Sequence, residues 1–220
     1  MKNSIDKNLF MLFQINDSLF PIGAYSHSYG LETYIQKKLV KNVDSAFEYL
    51  KCNLKSNFLY SELLAINLSY EYADKGRLDK LIRLDNILNA SKSPKEIRLA
   101  SQKLGSRFIK TLMSTDINYK NNNFIDYVNE SKNNLPTHTV AYGTFCQSVG
   151  IAREKAIEGF LYSYTSSTIT NIVASDNSGL NVADKLSPPL SINIISRSGN
   201  LFASSSTASK FIEASSLIAV

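Results

Sequence analysis

The sequence predicts an all-α fold: a single-domain helical bundle over residues 1–174, followed by a divergent, serine-rich and weakly ordered tail over residues 175–220. Three observations carry this. Apolar residues recur three and four apart through most of the first 174 positions, the spacing that lays one stripe along a helix. Neither a βαβ rhythm nor an internal repeat interrupts them. At 44% hydrophobic and 20% charged residues, the chain has enough apolar side chain to bury a core.

The elements follow in order. Asn8–Asn16 reads as a helix with Leu9, Leu12 and Phe13 on its apolar face, stopped by the polar Asn16-Asp17-Ser18. Phe20-Pro21-Ile22-Gly23 is a turn, because Pro21 fixes φ and Gly23 tolerates positive φ. A helix resumes near His27, with Leu31, Ile35 and Leu39 on one stripe and Ser26 available as its cap. Asp44 is the expected cap of the next helix, which carries Phe47, Leu50, Leu54 and Phe58. Tyr60–Tyr72 and Leu78–Leu88 are the following helices, separated at Lys75-Gly76.

Ser93-Pro94-Lys95-Glu96 combines a capping box with a proline at the first helical position. The helix it opens aligns Ile97, Ala100, Leu104, Phe108 and Leu112. A short helix follows at Phe124–Ser131. Another runs from Pro136 to Gly150, and a long one covers Ala152–Thr170. After Ala174 the pattern fades: residues 175–220 hold 12 serines, and Pro188-Pro189 breaks any helix there.

Composition narrows the function. Met1–Asn8 is polar and charged, unlike a secretory leader, and no apolar run reaches the ~20 residues of a membrane span, so a cytoplasmic location is expected. Cys52 and Cys146 form no C-x-x-C pair and read as reduced, buried thiols. The net charge of +5 is spread along helix faces, which suits a solvated surface or an acidic protein partner better than a nucleic-acid patch. P-loop, G-x-G-x-x-G, G-x-S-x-G and H-E-x-x-H signatures are all missing. The chain therefore reads as a binding protein rather than an enzyme, with no cofactor and no resident metal.

The most informative stretch is Leu19–Glu32, which gathers small and polar residues at a helix start. First-turn N–H groups there favour an anion or an acidic side chain of a partner. Gly30 would cost about 1 kcal/mol against alanine inside a helix. It is read either as close approach of a partner backbone or as a tight crossing within the chain. A small hydrolase using Ser26 or Ser28 with His27 is the alternative from another class, although neighbours on one helix rarely point at each other. A weak basic nucleic-acid-binding module is the third reading. His138 reads as a structural hydrogen-bonder.

Leu19-Phe20-Pro21-Ile22-Gly23-Ala24-Tyr25-Ser26-His27-Ser28-Tyr29-Gly30-Leu31-Glu32 closely resembles the P-x-G-x-x-x-H-S-x-G-L-E signature of the urease accessory protein family UreF. Pro94-Lys95-Glu96-Ile97-Arg98 followed by Leu104-Gly105-Ser106-Arg107 resembles that family's E-x-R…G-x-R/K helix. His138 through Gly143, with Gly150 and the late helix, is a weaker third match, and the resemblance spans about residues 9–173. It implies an all-α homodimer that binds UreD (also called UreH), recruits the GTPase UreG and apo-urease, and assists nickel delivery without catalysis of its own. Carried over residue by residue, it implies a partner-facing or dimer-facing role for Pro21, Gly23, His27, Ser28, Gly30 and Glu32 from the first motif, and for Glu96, Arg98 and Gly105 from the second. Leu31 also matches, and core packing is expected for it. Ser175–Asp184 departs from the family's P-L-G-Q-T-x-G-Q segment, as a shifted reading frame or local divergence would make it do. The expected Arg-Leu-Phe-like end is missing too, and that end contributes to UreD binding in the family.

Overall fold

The computed structural model describes residues 6–23, 30–133 and 135–174, and the fold is all-α, with no strand among the described residues. The elements are α1 (Lys7–Asn16), α2 (Leu31–Gln36), α3 (Val43–Asn53), a π-helix (Leu54–Leu63), α4 (Leu64–Asp74), α5 (Leu78–Ser91), α6 (Lys95–Met113), α7 (Asn123–Glu130), a 3₁₀ turn (Ser131–Asn133), α8 (His138–Val149) and α9 (Arg153–Ala174). The expectations about residues 175–220 lie outside the described residues. Two compact units are present. One comprises Met1–Ala24 with Ser61–Gly159, the other Tyr25–Tyr60 with Phe160–Val220.

The first unit is built on α8, whose residues are almost all buried. It packs most extensively on α4, then on α6 and α7. Gly143 explains the closeness to α4, since a Cβ there would strike Ser69 Oγ and sit 2.7 Å from the Ile66 carbonyl oxygen. Gly150 ends α8 in the left-handed region (φ 78°), and the Ile151 N–H donates to the Cys146 carbonyl at 2.9 Å. Phe108, Phe124, Tyr127, Tyr142 and Phe145 fill the space between these helices, with Phe108 and Phe145 in edge contact at 5.9 Å.

The second unit holds a smaller core of Leu31, Val40, Ala46, Leu50, Ile169 and Ile172. Phe58 stacks on Tyr164 at 3.9 Å, and Asn53 Nδ2 donates to the Tyr164 hydroxyl at 2.7 Å.

Several local expectations are corrected. Helix α3 is capped by Asn42, not Asp44: the Asn42 side chain accepts from the Ser45 N–H at 2.9 Å, and Ser45 Oγ accepts from the Asn42 N–H at 3.0 Å. The box predicted from Ser93 does not form. Helix α6 starts at Lys95 with an extended Pro94 before it, and no side chain caps it. On α1 the buried positions are Leu12 and Ile15, while Leu9 and Phe13 are exposed. Helix α2 stops at Gln36, which leaves Leu39 on the surface. Cys146 is buried as expected, but Cys52 is exposed.

Candidate partner-binding surface

The two motif segments in the first unit are held by the same helix. The turn at Phe20–Gly23 leans on α6: the Phe20 ring meets Phe108 edge-on at 5.9 Å. Arg107 Nη1 donates to the Ile22 carbonyl at 3.3 Å. Gly23 has φ 74°, which is what calls for glycine there; a Cβ would lie 2.7 Å from Arg107 Nη1, the tip of a flexible side chain that can shift. Ile22 is buried, whereas Pro21 and Gly23 face solvent. Arg107 was quoted in the second motif only as part of its pattern. Its bond to the first motif spans 85 residues, and no local spacing could have revealed it.

The remaining motif residues divide by environment. Glu96 is exposed in the first turn of α6. Arg98 is half-buried and fastens the preceding loop, with Nη1 donating to the Lys92 carbonyl at 2.9 Å. Next to it Lys92 Nζ pairs with Glu62 at 2.6 Å, the most sheltered of the ion pairs among the described residues. Gly105 is buried. A Cβ there would strike the Pro136 carbonyl oxygen and come within 2.7 Å of Thr137 C and 2.9 Å of the His138 nitrogen. It is a packing residue between α6 and the start of α8, so the expectation that it faces a partner is corrected. In the second unit Gly30 precedes α2 with φ 88° and Glu32 is exposed in the first turn, while Leu31 is core, as expected. A Cβ on Gly30 would meet nothing within 4 Å in this chain, so a tight crossing of its own helices is not what requires glycine there. The positive φ is. His27, Ser28 and Ser26, with the hydrolase reading built on them, lie outside the described residues.

Sequence reasoning did not find a second polar centre. Asp85 is fully buried on α5 and accepts three hydrogen bonds: from the Tyr127 hydroxyl at 2.6 Å, the Thr137 N–H at 2.8 Å and the Thr137 hydroxyl at 2.7 Å. Burial raises its carboxyl to about 6, against the pull of those donors. The centre fixes the residue before α8. At the next residue, the His138 ring packs edge-on against Phe108 at 5.1 Å and Tyr142 at 6.1 Å, and burial lowers its pKa to about 4, which keeps it neutral near pH 7. The arrangement suits structure and not proton transfer. Among the described residues no three metal-ligating side chains gather, and no helix is long and apolar enough to cross a membrane.

An all-α bundle protein is thus defined, with glycine-dependent motif segments at the surface of α6 and at the start of α2. Residues 40–174 match the family model UreF. The urease accessory protein UreF of Bacillus sp. (strain TB-90) is 32% identical over 167 residues, covering 75% of this chain and 72% of that protein. The chain belongs to the UreF family of urease accessory proteins. The matched span begins at Val40, so the Leu19–Glu32 segment lies ahead of it.

Proposed function

We propose that the chain is a cytoplasmic, non-catalytic maturation factor for urease. In complex with UreD/UreH and the GTPase UreG, it assists nickel insertion into apo-urease, with nickel as cargo and not as a resident cofactor. The observation that carries this reading is the family match over residues 40–174, which takes in α6 and the whole of α8. The packing of α6 supports it. That helix fixes the exposed Pro21–Gly23 turn through Arg107 and Phe108 and presents Glu96 to solvent, which gives a preformed surface rather than a cleft. The chain acts as a homodimer, and Pro21, Gly23, Gly30, Glu32, Glu96, His27 and Ser28 contribute to its contacts with partners or with the second copy. Arg98 contributes by holding the loop beside that surface.

Size-exclusion chromatography of the purified chain with its cognate UreD tests this. Co-elution at micromolar concentration, followed by recruitment of UreG to the pair, is the expected result. Separate elution of a folded chain from a folded UreD contradicts it.

A further inference from the structure

Helix α1 turns its aromatic side chains outward. Leu12 and Ile15 are buried, while Lys7, Phe10, Phe13, Gln14 and Asp17 on the opposite side are exposed. Phe10 and Phe13 are 62% and 61% exposed, and they are the only exposed phenylalanines among the described residues. Leu9 adds 40% exposure beside them. Leu19, 88% exposed, follows the helix, with its N–H donating to Asp17 Oδ1 at 2.7 Å. A contiguous apolar face of this kind marks a contact surface.

The face is its own complement when reversed. Lys7 and Asp17 stand five positions either side of residue 12, and Phe10 and Gln14 two positions either side. A second α1 laid antiparallel across a twofold axis at that point brings each Lys7 opposite Asp17 of the other copy. Phe10 of each copy then lies about 1.5 Å, one residue's rise, from the level of Phe13 of the other. The charges favour such a neighbour. Lys7 sits at the positive end of the helix dipole and Asp17 at the negative end, so each is misplaced within its own helix. Neither enters an ion pair among the described residues. Asp6, the other charge near the start, is engaged in capping and accepts from the Asn8 and Leu9 N–H groups.

We infer that the outer face of α1 docks a second copy of this chain, α1 against α1 and antiparallel across a twofold axis. The inference rests on the homodimer in the function proposed above and assigns it a surface. An isologous contact needs one patch that matches itself, and this one matches in both its apolar centre and its charged ends. A membrane surface would instead call for a basic rim around the apolar residues, whereas Lys7 and Asp17 cancel.

The test is the mass of the full chain by sedimentation equilibrium at micromolar concentration, with circular dichroism verifying each fold. The wild type is expected at twice the 24.5 kDa of one chain. Phe10→Ala with Phe13→Ala is expected to raise the dimer Kd at least about tenfold. Lys7→Asp and Asp17→Lys alone each weaken the dimer about threefold at low salt. Combined in one chain they restore it, because every pair re-forms with its signs exchanged. A monomeric wild type, a dimer indifferent to the phenylalanine substitutions, or two reversals that add instead of compensating overturns the inference. So does loss of UreD binding in the phenylalanine variant with its dimer intact. A wild type that dimerises through α1 but binds no UreD supports the inference and overturns the rest of the proposed function.

Discussion

Asp85 accepts hydrogen bonds from Tyr127 and Thr137 with no exposure to water, so its replacement separates hydrogen bonding from charge. Asp85→Ala strands two buried hydroxyls and a buried N–H and is expected to cost about 2–3 kcal/mol at pH 8, read from urea unfolding. Asp85→Asn keeps an acceptor for Thr137 and is expected to stay near wild type at that pH. Acid distinguishes them further. The carboxyl of Asp85 lies above its ordinary 3.8, at about 6, so its contribution to stability is full below 3.8 and is lost as pH rises through 6. His138 lies below its ordinary 6.5, at about 4, so its contribution is full above 6.5 and is lost as pH falls through 4. Between pH 4 and 6 the two slopes oppose each other. Removing the first unmasks the second: Asp85→Asn is expected to lose stability from pH 6.5 to 4 more steeply than wild type. Parallel curves for the two proteins contradict these roles. None of this was visible in the sequence, where Asp85 is one acidic residue among the helical runs and its partners lie 42 and 52 positions away.

At the scale of elements, glycines set how closely helices approach. Gly105→Ala places a methyl group on the Pro136–His138 backbone, which cannot yield as a flexible side-chain tip can. A loss of about 1–3 kcal/mol is expected, with a lowered thermal midpoint. An unchanged midpoint accompanied by loss of partner binding would instead return Gly105 to the surface role the motif implied. The helices themselves were legible because their periods are long and regular. The buried stripes Leu81–Leu84–Leu88 on α5 and Ala100–Leu104–Phe108–Leu112 on α6 fall where the spacing placed them. Their ends were less legible. Asp44 and Asn42 are both good caps, and only the bond to Ser45 decides between them. The π-helix Leu54–Leu63 was read as ordinary helix, because Leu54 and Phe58 are buried in either winding. On α1 the same spacing misled, since Phe10 and Phe13 are apolar yet 62% and 61% exposed. Periodicity shows which residues share a face, and not which face is covered.

For the whole molecule, the motif segments are tied together by tertiary contacts that the motifs do not announce. Arg107 and Phe108 of the second motif's helix hold the Phe20–Gly23 turn of the first, which explains how segments some 80 residues apart form one surface in the first unit. The partner roles proposed for them rest on the family resemblance alone, because an exposed Pro21 or Glu96 carries no chemistry of its own. The most direct test of the account is the nickel content of urease. Apo-urease matured in cells supplied with UreD and UreG is compared with and without this chain. The account predicts that the chain raises nickel occupancy and urease activity together, and that the chain alone hydrolyses no urea. Equal nickel occupancy in its presence and absence, with the chain folded and expressed, contradicts it.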